Sequence, residues 1–189
     1  MKEQTISLQE ASIHQHCKVL RTPTIGSQFG KMAEEAVREK QSHLGYLEAL
    51  LAAEVEEREH RTIQRRITEA HLPRMKTLEE FDFAQSPKLS APQIRDLAAG
   101  AYIDRAEPIV LIGECGTGKT HLATGFCVAA CRQKRRVRFT TAAGLVNELI
   151  EAHHQSQVRR ALRPDGLFLG AMAGAGVIAA RALRRRNHP

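Results

Sequence analysis

A five-residue apolar run, Pro108-Ile109-Val110-Leu111-Ile112, leads straight into Gly113-Glu114-Cys115-Gly116-Thr117-Gly118-Lys119-Thr120, and the helix-forming stretch His121 to Arg132 follows. No other feature constrains the fold as much. A short apolar run bounded by glycines reads as a buried strand. The octapeptide fits G-x-x-x-x-G-K-T, in which glycines let the backbone curl until successive N–H groups point inward at a polyphosphate. Lys119 would reach the β- and γ-phosphates, the Thr120 hydroxyl would be a ligand of Mg²⁺, and the following helix would add the positive end of its dipole. Strand, loop and helix in this order are the context the motif requires. The plain alternative is a glycine-rich turn that cradles nothing.

The flanking sequence extends an α/β reading in both directions. Leu44, Leu47, Leu51 and Val55 recur at three-to-four spacing, predicting an amphipathic helix that packs through this stripe and runs on to Leu72-Pro73. Its basic side, Arg58, Arg61, Arg65 and Arg66, is a candidate phosphate contact. Residues 1 to about 40 carry shorter helical patches, broken at Thr22-Pro23-Thr24-Ile25-Gly26. Pro73 to Pro92 reads as a connecting segment anchored by Leu78, Phe81 and Phe83, and a helix runs from Ala91 to about Gly100. Arg135 to Thr141 alternates like a second strand, and Ala142 to about Leu162 reads as a helix.

At 189 residues the chain has room for one domain and a smaller helical extension. Lysine and arginine outnumber the acids 28 to 21, which permits a nucleic-acid partner without demanding one. Tryptophan is absent and aromatics are few, which argues against base stacking on an aromatic platform. None of Cys17, Cys115, Cys127 and Cys131 forms a C-x-x-C pair. Cys127 and Cys131 share a helix face and read as small core residues, whereas oxidation of Cys115 in the loop would obstruct nucleotide. The few cysteines fit a reducing cytoplasm, and the N-terminus carries no apolar signal core.

Composition changes abruptly at Arg163. Beyond it alanine, glycine and arginine dominate, and Asp165 is the only acid. The apolar part, Leu167 to Ala180, is too short for a membrane span. The expectation is a disordered basic tail.

The run from Leu111 through Thr120 to His121-Leu122-Ala123 resembles the first strand and phosphate loop of the transposon ATP-binding helper proteins of IstB type, relatives of the DnaC-type helicase loaders among the AAA+ ATPases. Leu47 to Glu54, Arg58, Ala70-x-x-Pro73 and Lys76 to Phe83 resemble that family's N-terminal helices and the segment leading into the ATPase domain. Val137-x-Phe139-Thr140-Thr141-Ala142-x-x-Leu145-Val146-x-x-Leu149 resembles its second strand and helix. The resemblance spans roughly residues 40 to 162. It implies a P-loop NTPase of AAA+ type, with a helical domain at 1–75, a partial ATP-binding domain at 76–162 and a divergent tail at 163–189. It also implies ATP and Mg²⁺ as cofactors, held by Gly113, Glu114, Cys115, Gly116, Thr117, Gly118, Lys119 and Thr120, with Thr120 on the metal. The implied partners are duplex DNA bound without sequence preference, a transposase, and further copies of the chain in a homo-oligomer. Helicase loading and non-enzymatic partner binding are the alternatives.

One part of the family pattern is missing. Hydrolysis there needs an apolar strand ending in Asp-Glu, one carboxylate for Mg²⁺ and one for the attacking water. Asp165 follows Arg163-Pro164, and Glu148 and Glu151 fall on a helix. Arg181 and Arg184 are the only nominees for an arginine finger, with nothing in their setting to support them. No catalytic residue is therefore assigned, and hydrolysis is expected to be lost. The family's strand order, 5-1-4-3-2, would separate the two strands found here by two absent ones. The expected sheet is thus an incomplete parallel one, as in a truncated or frameshifted relative.

Overall fold

The computed structural model describes residues 2–105, 107–154, 167–171 and 177–182. The chain divides into two compact units, 1–62 and 63–189. The division falls inside one long helix, and Ile67, Ala70 and Leu72 beyond it pack in a core of the second unit.

The first unit contains α1 (Lys2–Leu20), α2 (Pro23–Arg38) and most of α3 (His43–Glu69). The break read at Thr22 to Gly26 is narrower than expected. Arg21 takes a positive φ of 55°, Thr22 caps α2, and Pro23 opens its first turn, where a missing N–H costs nothing. Thr22 makes no side-chain cap bond. Glu54 of α3 supplies one instead: its carboxylate accepts from the Thr24 N–H at 2.8 Å and the Ile25 N–H at 3.2 Å. Leu50 and Glu54 are the buried residues of α3. The expected packing stripe lies beside them and is exposed at Leu44, Leu47, Leu51 and Val55. The stripe was legible, but burial went to the adjoining face, which carries the cap for α2.

In the second unit α6 (Lys119–Arg132) is the central element, with nine buried residues among its fourteen. One core joins Ala123, Cys127, Ala130 and Cys131 of α6 to Ala70, Tyr102 and Val137, with Ile109, Leu111 and Phe139 packed against it. A second joins Leu122 and Phe126 to Phe81 and Ile94, with Leu78 and Phe83 alongside. A helix enclosed on both sides accounts for Cys127 and Cys131 as core residues; burial raises both thiols, Cys131 to about 11. Against α6 pack α4 (Ala91–Ala98), capped by Ser90, and Tyr102 of the one-turn α5 (Ala101–Asp104), while α7 (Ala142–His154) packs on β2 and β3. The expected continuation of α7 to Leu162 lies outside the described residues.

The sheet differs from the expected incomplete parallel one. Its order is β1-β4-β3-β2, with β1 at Pro108–Ile112, β2 at Val137–Thr141, β3 at Leu167–Ala171 and β4 at Val177–Ala182. β3 runs parallel to β2, pairing Val137 with Leu167. β4 is antiparallel to both β3 and β1, pairing Ile112 with Val177. Two segments of the tail, expected to be disordered, thus stand between β1 and β2. Strand backbone needs hydrogen-bond partners, and these two short, largely apolar segments supply them. The rest of the tail lies outside the described residues.

Candidate functional site

The eight motif residues form one turn between β1 and α6. Gly113 and Glu114 leave the strand, and residues 115–118 make the turn. Gly116 and Gly118 take φ of 81° and 82°, the left-handed region that glycine enters without penalty. Gly118 is the N-cap of α6, Lys119 its first residue and Thr120 its second. The loop closes on the Glu114 carbonyl, which accepts from the Thr117 hydroxyl at 2.8 Å and from the Lys119 ammonium. Lys119 also donates to Thr117 Oγ1 at 3.3 Å. The ammonium therefore curls over the loop, where a polyphosphate's charge would lie. Thr120 is exposed at the helix start, and its carbonyl accepts from the buried Thr124 hydroxyl at 2.7 Å. Cys115 is exposed at the turn.

These residues fit a nucleotide triphosphate. Two left-handed glycines, a lysine folded into the loop and an uncapped helix N-terminus supply donors and positive potential together. The Thr120 hydroxyl is the donor available to Mg²⁺. Among the described residues, no group of three or more His, Cys, Asp or Glu could hold a metal by itself. None of the four strands contains an acid, and none ends on Asp-Glu.

The segment before β1 braces the loop, a role that local pattern did not reveal. Phe81 packs edge-on against His121, with ring centroids 5.2 Å apart, and against Phe83 at 4.9 Å. His121 Nε2 lies 2.8 Å from the Thr77 carbonyl. A Cβ on Gly125 would come within 2.5 Å of Leu78 Cδ2 and 3.2 Å of the Leu78 backbone nitrogen, so only glycine admits the segment there. Arg132 closes the far end on Glu79 at 2.7 Å. Leu78, Phe81 and Phe83 were legible as apolar anchors; their partners, 40 to 50 residues away, left no local signal.

The candidate phosphate-binding arginines of α3 are engaged elsewhere. Arg58 binds Glu54 at 2.7 Å, Arg61 binds Glu57 at 2.7 Å, and Arg65 and Arg66 reach Glu69 at 3.8 and 2.8 Å. Each arginine has a carboxylate within reach, so this face offers little net positive charge.

Residues 15–168 match the family described as IstB-like ATP binding protein. The chain belongs to that family. The match includes the end of α1 and all of α2, reaching further toward the N-terminus than the expected start near residue 40. Among curated members, the chain is 36% identical over 151 residues to a protein assigned as the ATP-binding protein of insertion sequence IS5376 in Geobacillus stearothermophilus, covering 80% of this chain and 60% of the relative. It is 37% identical over 163 residues to an insertion sequence ATP-binding protein assigned in Sinorhizobium fredii, covering 86% and 55%. A third relative, assigned as the ATP-binding protein of insertion sequence IS21 in Pseudomonas aeruginosa, is 33% identical over 132 residues, covering 70% and 50%. The chain thus spans 50 to 60% of the length of these IstB-like relatives. No helix among the described residues is long and apolar enough to cross a membrane.

Proposed function

We propose that this IstB-like chain binds ATP at Gly113 to Thr120 and serves as the nucleotide-dependent helper of a transposase. The observation that carries the reading is the loop itself: Gly116 and Gly118 in left-handed conformations, with Lys119 turned inward at the first position of α6. The relatives, named as ATP-binding proteins of insertion sequences, support the biological setting. In this reading backbone N–H groups and Lys119 hold the phosphates, Thr120 holds Mg²⁺, and Phe81 and His121 keep the start of α6 in place.

Hydrolysis is impaired in the same proposal, because no described strand presents the carboxylates that activate water. Nucleotide binding then acts as a conformational signal. Duplex DNA, contacted without sequence preference, and further copies of the chain complete the assembly, and the chain works in the cytoplasm. The basic excess of the sequence favours the DNA contact, though the ion-paired arginines of α3 supply little of it.

Thermal unfolding with and without Mg-ATP, beside Lys119→Ala, tests the reading. Ligand binding to the native state raises the melting temperature by mass action. The reading requires a rise in the unmutated chain and none in the variant. An equal response in both, or no response, overturns it.

A further inference from the structure

A groove of about 420 Å³ runs beside α6, and none of residues 113–120 lines it. Its floor is Gly125, Val128 and Ala129, and its walls include Leu78, Phe83 and Ile94. The hollow opens at Ala129, whose side chain is small; the space beside Gly125 is already filled by Leu78. Two guanidinium groups, Arg95 and Arg132, complete the lining. Arg132 is neutralised by Glu79 at 2.7 Å. Arg95 is exposed and has no ion-pair partner among the described residues. The groove is therefore apolar at its base with one uncompensated cation at its edge.

That combination selects an occupant. An apolar side chain gains by leaving water, and a carboxylate beside it gains a charge-assisted bond to Arg95. Nucleic acid fits poorly, since one unpaired cation does not track a phosphate backbone. We propose that the groove docks a segment of a partner protein, which seats a leucine- or phenylalanine-sized side chain on Ala129 and sets a neighbouring aspartate or glutamate against Arg95. Docking of this kind concentrates its energy in one buried anchor and one oriented polar contact. The groove lies apart from residues 113–120, and Phe81, which also lines it, is the side chain it shares with the surroundings of the loop.

The test pans a phage-displayed random-peptide library on the intact chain. The best peptide is then synthesised and titrated by fluorescence anisotropy against the unmutated chain, Ala129→Trp and Arg95→Glu. The selected peptides should pair a bulky apolar residue with an acid. Affinity should fall about tenfold or more in each variant, the equivalent of one lost charge-assisted bond or one lost anchor. Arg95→Glu changes an exposed side chain, so its result stands even if Ala129→Trp disturbs packing. Failure to enrich any peptide, a consensus without an acid, or full-strength binding to Arg95→Glu each overturns the proposal.

Discussion

Phe81 lies so close to Gly118 that a Cβ on that glycine would come within 2.7 Å of the ring's Cε2. The contact ties the N-cap of α6 to a residue 37 positions earlier, and it occurs where φ is 82°. Gly118 is thus required twice, for its conformation and for the space its missing side chain leaves. Gly118→Ala should destabilise the chain by roughly 1–2 kcal/mol from the left-handed backbone alone, with a further loss as the ring is displaced. Urea unfolding of Gly118→Ala, Phe81→Ala and the double variant separates the two. Phe81→Ala should relieve the steric part only, making the double variant more stable than the sum of the single losses implies.

The lysine prediction has the opposite stability signature. Lys119 makes its bonds within its own exposed loop. Lys119→Ala should melt within about 0.5 kcal/mol of the unmutated chain without ligand. It should lose at least tenfold in Mg-ATP affinity by calorimetry, as removal of a charge-assisted phosphate contact implies. A large loss of ligand-free stability would show that the lysine is structural.

Cysteine chemistry should discriminate sharply. Cys115 is exposed, whereas Cys17, Cys127 and Cys131 are buried. A disulfide reagent at neutral pH should titrate one thiol in the native chain and four after unfolding in guanidinium. Burial raises the Cys131 thiol to about 11, so even transient access leaves it largely protonated. Mg-ATP should slow modification of Cys115, and the modified chain should no longer respond to ATP. Reaction of two or more native thiols at comparable rates would contradict the packing of α6.

Glu54 makes stability depend on acid. Burial pushes its carboxyl upward, but hydrogen bonds from Arg58 and from the Ile25 and Thr24 amides outweigh this and hold its pKa below the ordinary 4.5. A carboxyl depressed in the folded state contributes stability that is complete above its unfolded pKa and lost as pH falls through the folded value. The first unit should therefore weaken below about pH 4.5, and Glu54→Ala should flatten that part of the profile. The substitution should also cost about 1–3 kcal/mol at pH 7, because the cap and a charge-assisted bond disappear together. Circular dichroism melts from pH 3 to 7 measure both effects.

Much of this organisation was legible along the chain. Local signals marked α3, α4, β1, α6 and β2 to within a few residues, because proline, glycine, apolar periodicity and β-branched alternation act over one or two turns. The phosphate loop was readable residue by residue for the same reason: its chemistry is that of contiguous backbone. Long-range choices were not legible. Nothing near Leu44 to Val55 says that Leu50 and Glu54 would take the buried side of α3, since that depends on where α2 begins.

By itself the sequence determined a strand, a glycine loop with Lys119 and Thr120 at its end, the helix that follows, and membership in the IstB-like family. Only the tertiary structure decided that Leu167–Ala171 and Val177–Ala182 stand between β1 and β2. It also placed Phe81 beneath Gly118, Leu78 on Gly125 and Glu54 at the head of α2. Hydrogen bonding within a helix or turn is settled among near neighbours. A sheet slot, a helix cap supplied from elsewhere and a steric hollow are each filled by whatever distant segment satisfies the exposed backbone and volume at least cost.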